Sequence, residues 1–234
     1  QVLLMTLRGD RKGCDNGLGR GPMPKRLRLL DVPSGLLERL ECRGAGGAPG
    51  AEDFSPHFQV AFPLRGMFAW HVCGDVVVSD PTQVLYIRGG EPFRVSEPRP
   101  GGYVEAIVTP SYGLLADLTE ATGFSPDRHP LFRFRSRRAT PALQRTCARL
   151  LHRTAPAADL FAAEEDLVGL LRAALTVEPP GRWPATSSLR LIGRAKEYLD
   201  AHFAERLSLA DVARAVGASP AYLTDVFRRF EGVS

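Results

Sequence analysis

Histidine is scarce in this sequence of 234 residues: there are five, with no His-x-His pair and none between His71 and His129. A metal site needs three or four converging donors. His57, His71, Glu91 and Glu105 are therefore read as solvated or core-edge residues, and neither metal nor cofactor is expected. Cysteine is equally sparse. Cys14, Cys42, Cys73 and Cys147 form no CxxC pair, which excludes a zinc ribbon. Two disulfides in an oxidising compartment remain open, but free thiols in a cytoplasmic protein are the favoured reading. No charged-then-apolar leader opens the sequence and no apolar run approaches membrane-spanning length, so no membrane partner is expected. Strong charge imbalance is lacking too. The formal net charge is +4, which permits a polyanionic partner without requiring one.

Apolar residues make up 44% of the chain, enough for a conventional core and two modest domains. They are unevenly spread. Residues 1–50 carry "RGDRKGCDNGLGRGPMPKR" and "RGAGGAPGAED", rich in Gly, Pro and charge, and are read as a flexible N-terminal segment. Between these stretches "LRLLDVPSGLLERLE" holds enough leucine for a short helix or strand that docks on the domain behind it. Lys25, Arg26 and Arg28 could touch nucleic acid, although a solvated tail is the favoured account.

From His57 the period becomes two. Phe58, Val60, Phe62 and Leu64 alternate in "HFQVAFPL", the pattern of a strand with one buried face. Turn signals then recur between "MFAWHV", "DVVVS", "QVLYI", "PFRVS" and "YVEAIVT". Short strands without intervening helices predict an antiparallel barrel or jelly roll over residues 51–126. Trp70, Tyr86, Phe93, Arg94 and Tyr103 could line an effector pocket, with aromatic walls and a cationic anchor suited to a small organic or acidic ligand. Filling of the barrel is the plainer role for any one of them.

The pattern turns helical after Ser111. "SYGLLADLTEATG" predicts a short helix ending at Gly123. Residues 127–178 then form a basic connector and two helices, one opened by Thr140-Pro141 and one capped by Asp159. The stripe of the second comprises Leu160, Phe161, Leu167, Leu170 and Leu171. Both stripes are broad enough to suggest a dimerisation seam. The run from Arg128 to Arg153 contains eight arginines and no acid. It could attract DNA, or pair with the acidic "AAEEDL" stretch within the chain or across a dimer, and the second account is favoured. "EPPGRWPATSS" reads as a linker, with its boundary at residues 179–188.

Three helices occupy residues 189–234. The first, Leu189 to about Ala204, is expected to bury Ile192, Ala195, Leu199 and Phe203. The second starts at Ser208 with Asp211 in a capping box, and buries Leu209, Val212, Ala213 and Val216. Gly217 ends it, and Ser219-Pro220 open the third. At 100° per residue Leu223, Val226, Phe227 and Phe230 of that third helix share an inner sector. Ala221, Thr224, Asp225 and Arg228 point the opposite way, where small or polar side chains could meet base edges in a major groove. Tyr222 and Arg229 lie to the side, placed for phosphates. An ordinary three-helix cluster with a solvated outer face fits the same spacing.

The residues go further than their periodicity. "LSLADVARAVGASPAYLTDVFRRFEGVS" resembles the first helix-turn-helix of the AraC/XylS family of bacterial transcription regulators, and the region from about Ser55 to Pro110 looks like their cupin-like sensor or dimerisation barrel. The resemblance implies an α+β chain: an antiparallel cupin-like β-barrel (jelly roll), linker helices, and an all-α helix-turn-helix subdomain. It also implies a homodimeric transcription regulator that binds double-stranded promoter DNA, with a possible small-molecule effector and RNA polymerase as a further partner. Carried over residue by residue, base contacts fall on Ala221, Thr224 and Asp225, and backbone contacts on Tyr222, Arg228 and Arg229. Family members carry a second helix-turn-helix that is absent here, so a fragment at both ends that binds specific DNA weakly or not at all is expected. The alternative is a cupin-type small-molecule-binding or interaction protein without competent DNA binding. A cupin enzyme is disfavoured because the metal cluster is missing, and no enzyme activity is expected.

Overall fold

The computed structural model describes residues 24–44, 46–97, 100–122, 135–154, 159–176 and 186–231. Within the segment read as flexible, Pro33 and Ser34 reverse the chain between strands β1 (Lys25–Val32) and β2 (Gly35–Cys42), which pair antiparallel. This corrects the expected boundary at residue 50. The leucines of "LRLLDVPSGLLERLE" lie on both faces of the hairpin: Leu30 and Leu37, paired in register, are buried on one side and Leu40 on the other. Gly35 is required where the turn meets the next strand: a Cβ there would lie 2.5 Å from the Thr109 carbonyl oxygen.

Eight further strands follow among the described residues: β3 (Asp53–Phe54), β4 (Gln59–Arg65), β5 (Phe68–Val72), β6 (Asp75–Ser79), β7 (Gln83–Ile87), β8 (Pro92–Ser96), β9 (Tyr103–Pro110) and β10 (Ser136–Arg138). They form two antiparallel sheets. The larger has six strands in the order β1-β2-β9-β4-β7-β10, and the smaller has four in the order β3-β8-β5-β6. The sheets meet over Leu40, Ala61, Phe68, Trp70, Val72, Leu85, Ile87, Tyr103 and Ile107.

The large sheet is buried on both faces, which the alternation in "HFQVAFPL" does not anticipate. Val60 and Phe62 face away from the small sheet while Ala61 faces it, and all three are buried. Helices cover that second face. These are α1 (Tyr112–Thr122), α2 (Pro141–Arg153) and α3 (Leu160–Leu175). Leu143, Cys147 and Leu150 of α2 and Leu167, Leu170 and Leu171 of α3 share one core with Val60, Val84 and Tyr86. The breadth of these stripes is thus spent on the sheet, and no second copy is needed to account for it. Leu160 and Phe161 depart from the expected stripe: they sit in the first turn of α3, 65% and 71% exposed.

Local signals set the helix ends. Thr140 Oγ1 accepts from Leu143 N at 3.2 Å, and Asp159 Oδ1 accepts from Phe161 N and Ala162 N at 3.0 and 3.3 Å. Asp166 of α3 pairs with Arg149 and Arg153 of α2 at 2.7 and 2.9 Å, as expected for the acidic stretch and the basic run within one chain. Residues 128–134 of that run and the expected stop at Gly123 lie outside the described residues. Ser136–Arg138, read as connector, instead pairs with β7 as β10. Cys42, Cys73 and Cys147 are free thiols.

Candidate nucleic-acid interface and ligand-lining residues

The three C-terminal helices are α4 (Thr186–Ala201), α5 (Leu209–Val216) and α6 (Pro220–Phe230). Helix α4 thus starts inside the expected linker. Ser208 and Asp211 form the capping box of α5: Ser208 Oγ accepts from Asp211 N at 3.2 Å, and Asp211 Oδ2 accepts from Ser208 N at 3.0 Å. The Ser208 hydroxyl, which donates to Asp211 Oδ2, and then the Ser208 N–H hold the Asp211 carboxyl below its ordinary range. Gly217 closes α5 in the left-handed region at φ 69°, its N–H donating to the Ala213 and Arg214 carbonyls. Two residues later Ser219 caps α6 through Tyr222 N at 3.2 Å, with Pro220 in the first turn. Helices α5 and α6, each capped at its start, are thus joined by a short glycine-closed turn.

A small core fixes its pose. Leu191, Ile192 and Ala195 of α4 meet Val212, Ala213 and Val216 of α5 and Leu223 and Val226 of α6, with Phe227 and Phe230 partly buried at the margin. Three expected core residues are outside it. Leu199 and Leu209 are 39% and 50% exposed, and Phe203 is 75% exposed because α4 ends at Ala201.

On α6 the outward sector is open. Ala221, Tyr222, Asp225, Arg228 and Arg229 are exposed, and Thr224 is half-buried. Two of the proposed readers are engaged with their own helix. Thr224 Oγ1 donates to the Pro220 carbonyl at 2.9 Å, and Asp225 pairs with Arg229 at 2.8 Å. The second contact screens the carboxylate that would otherwise repel phosphate, and it aligns Arg229 along the helix.

The five effector-pocket candidates do not share one wall. Trp70 and Tyr103 lie between the sheets, where Trp70 meets Phe93 edge-on at 5.8 Å and Tyr103 meets Phe68 at 4.3 Å. Tyr86 faces the helices. Its hydroxyl donates to the Ala174 carbonyl and accepts from Arg137 Nε, both at 2.7 Å, and burial pushes it up to about 12. Arg94 sits in register with His71 on the outer side of the small sheet, is exposed, and lies 3.7 Å from Glu52. Strand alternation explains the split, since neighbouring positions project to opposite faces.

A different cation approaches the interior. The guanidinium of Arg135 lies 5.9 Å from the Trp70 ring and forms a two-pronged ion pair with Glu91, with Nη2 at 2.8 Å from Oε1. Hydrogen bonds from Arg135 hold the Glu91 carboxyl below its usual range. Inside a run of eight arginines nothing singled Arg135 out. The other residues weighed as ligands are also engaged or apart: His71 Nε2 is 2.7 Å from Ser96 Oγ, and Glu105 is buried in β9. Burial raises the Glu105 carboxyl to about 7, against a smaller opposing pull from Arg26. Among the described residues no group of three His, Cys, Asp or Glu is placed to hold a metal ion, and no helix is long and apolar enough to cross a membrane.

No protein-family model matches the sequence, and no curated protein matches it. Solved structures with a similar chain path include a single-residue variant of apo ToxT from Vibrio cholerae strain SCE256. The alignment covers 88% of this chain and 96% of that one, at 9% identity and a TM-score of 0.48. The AraC-like transcriptional activator CuxR aligns over 88% of this chain and 73% of its own, at 15% identity and a TM-score of 0.43. A cupin superfamily protein from Desulfitobacterium hafniense DCB-2 covers 40% of this chain and 82% of its own, at 13% identity and a TM-score of 0.32.

Proposed function

We propose that the protein is a DNA-binding transcription regulator: α5 and α6 read duplex DNA, and the two-sheet domain, a cupin-like jelly roll, senses a small molecule or joins two copies. The observation that carries this reading is the face of α6. Its inner residues are fixed on α4 and α5, while Ala221, Asp225 and Arg228 stay exposed on a helix capped at its entry. The resemblance of "LSLADVARAVGASPAYLTDVFRRFEGVS" to the AraC/XylS helix-turn-helix supports the same assignment. Ala221, Thr224 and Asp225 then meet base edges, and Tyr222, Arg228 and Arg229 meet the backbone. Promoter DNA, a second copy of the chain and RNA polymerase are the partners of this reading, and it assigns no enzyme activity.

Fluorescence anisotropy with labelled duplexes over a salt series tests the proposal. Arg228→Ala and Arg229→Ala should each weaken binding to all duplexes and lower the salt slope by about 1, whereas Thr224→Ala should change preference among sequences. Binding indifferent to salt and to both arginines overturns it.

A further inference from the structure

Lys196 of α4 is buried, yet its ammonium is fully partnered. Nζ lies 2.9 Å from Asp80 Oδ2 and 2.9 Å from Glu231 Oε1. The third acceptor is Gln83. With its amide oriented to satisfy both neighbours, Gln83 accepts from Nζ at 2.9 Å and donates to the Val78 carbonyl at 3.0 Å. An ammonium has three hydrogens, so nothing at this site is left unpaired. The acceptors come from two parts of the molecule. Asp80 lies in the β6–β7 turn and Gln83 opens β7, while Glu231 caps the C-terminal end of α6, its N–H bonded to the Phe227 carbonyl at 2.8 Å.

The anchor is rigid. Asp80 Oδ1 accepts from Thr82 N at 2.8 Å and from Thr82 Oγ1, and the Pro81 carbonyl accepts from Gln144 of α2 at 3.2 Å. Burial opposes the charge on Asp80, but Lys196 and Thr82 outweigh it and hold the carboxyl below its ordinary range. One turn before Lys196, Gly193 lies so close to β6 that an added Cβ would be 3.1 Å from Val78 Cγ2. Helix α4 thus covers the outer edge of the four-stranded sheet, where β6 has no further strand to pair with.

We propose that Lys196 is an ionic latch that ties the end of α6 to the β6–β7 turn, so that the two-sheet domain sets the position of the reading helix. Its consequence for DNA rests on the reading of α6 given above, whereas the docking does not. A change at the turn that draws Asp80 away leaves the ammonium one acceptor short and loosens Glu231 with it.

The test is a cross-link in the full chain. Val78→Cys with Gly193→Cys places two Cβ atoms near 3.8 Å apart, within the disulfide range of about 3.5–4.5 Å, and removes the Cγ2 that would collide. Oxidation should form this bond, mapped by peptide mass, and Lys196→Met in the same background should slow it roughly tenfold. No cross-link in the parent, or an unchanged rate in Lys196→Met, overturns the latch. Should Lys196→Met unfold by circular dichroism, Asp80→Asn with Glu231→Gln keeps the ammonium and should slow the reaction roughly threefold, and an unchanged rate again overturns it. Duplex anisotropy on the same proteins separates the two claims. A slowed cross-link without DNA binding by any form leaves the latch standing and removes the DNA reading. Equal DNA affinity of the cross-linked and Lys196→Met proteins overturns the transmission to α6.

Discussion

The two-sheet domain and the C-terminal three-helix unit are stabilised at different ranges. Val60 on β4 shares a core with Leu143 on α2 and Leu170 on α3, residues about a hundred positions apart in sequence. In the helical unit the decisive bonds join close neighbours: Ser208 with Asp211, Gly217 with Ala213 and Arg214, Ser219 with Tyr222. Caps open helices in both regions, but the first has a large core shared by sheet and helices, whereas the second has a small core and leans more on its caps. A cavity should therefore be costlier in the sheet core, and a lost cap more visible in the helices.

The largest effect should come from Leu170→Ala. Leu170 is completely buried between sheet and helices, and its truncation should cost about 2–5 kcal/mol in urea unfolding monitored by circular dichroism. A loss below about 1 kcal/mol would break the comparison, because a core so tightly shared should not relax around the void.

Glu105 offers a pH test of the same region. Its folded value, about 7, stands above the ordinary 4.5 because burial disfavours the charge. The folded state therefore holds a proton that the unfolded state has released between these values. Stability from this group is complete below about pH 4.5 and is lost as pH rises through 7, by about 3 kcal/mol at most. Glu105→Gln should flatten that decline between pH 5 and 8, and an unchanged slope assigns it to other groups.

In the helical unit Ser208→Ala should cost about 1 kcal/mol by removing the α5 cap, seen as earlier helix loss in thermal unfolding. Leu209→Ala should stay within about 0.5 kcal/mol, since the side chain is half exposed rather than part of the core its spacing suggests. If Leu209→Ala proved costlier than Ser208→Ala, the caps would not be what distinguishes this unit.

The same contrast governs what could be read in advance. The caps at Ser208 and Ser219, the stop at Gly217 and the two faces of α6 are local events, and each appears in the structure where its residues place it. The many short strands were legible from their turns. Less visible was that β4 is buried on both faces, because alternation reports one covered face and cannot show that α2 and α3 close over the other. The hairpin of β1 and β2 was hidden by the Gly- and Pro-rich sequence around it, and its reason for folding is the long-range register with β9.

By itself the amino-acid sequence determined where α5 and α6 begin, where α5 stops, and which side of α6 is polar, since these follow from backbone preference and residue spacing. Only the tertiary structure decided which cation stands beside Trp70, which acids meet Lys196, and where the stripes of α2 and α3 are spent. Those contacts join residues far apart in the chain. They exist because burying a charge or an apolar face requires a partner that no local pattern can name.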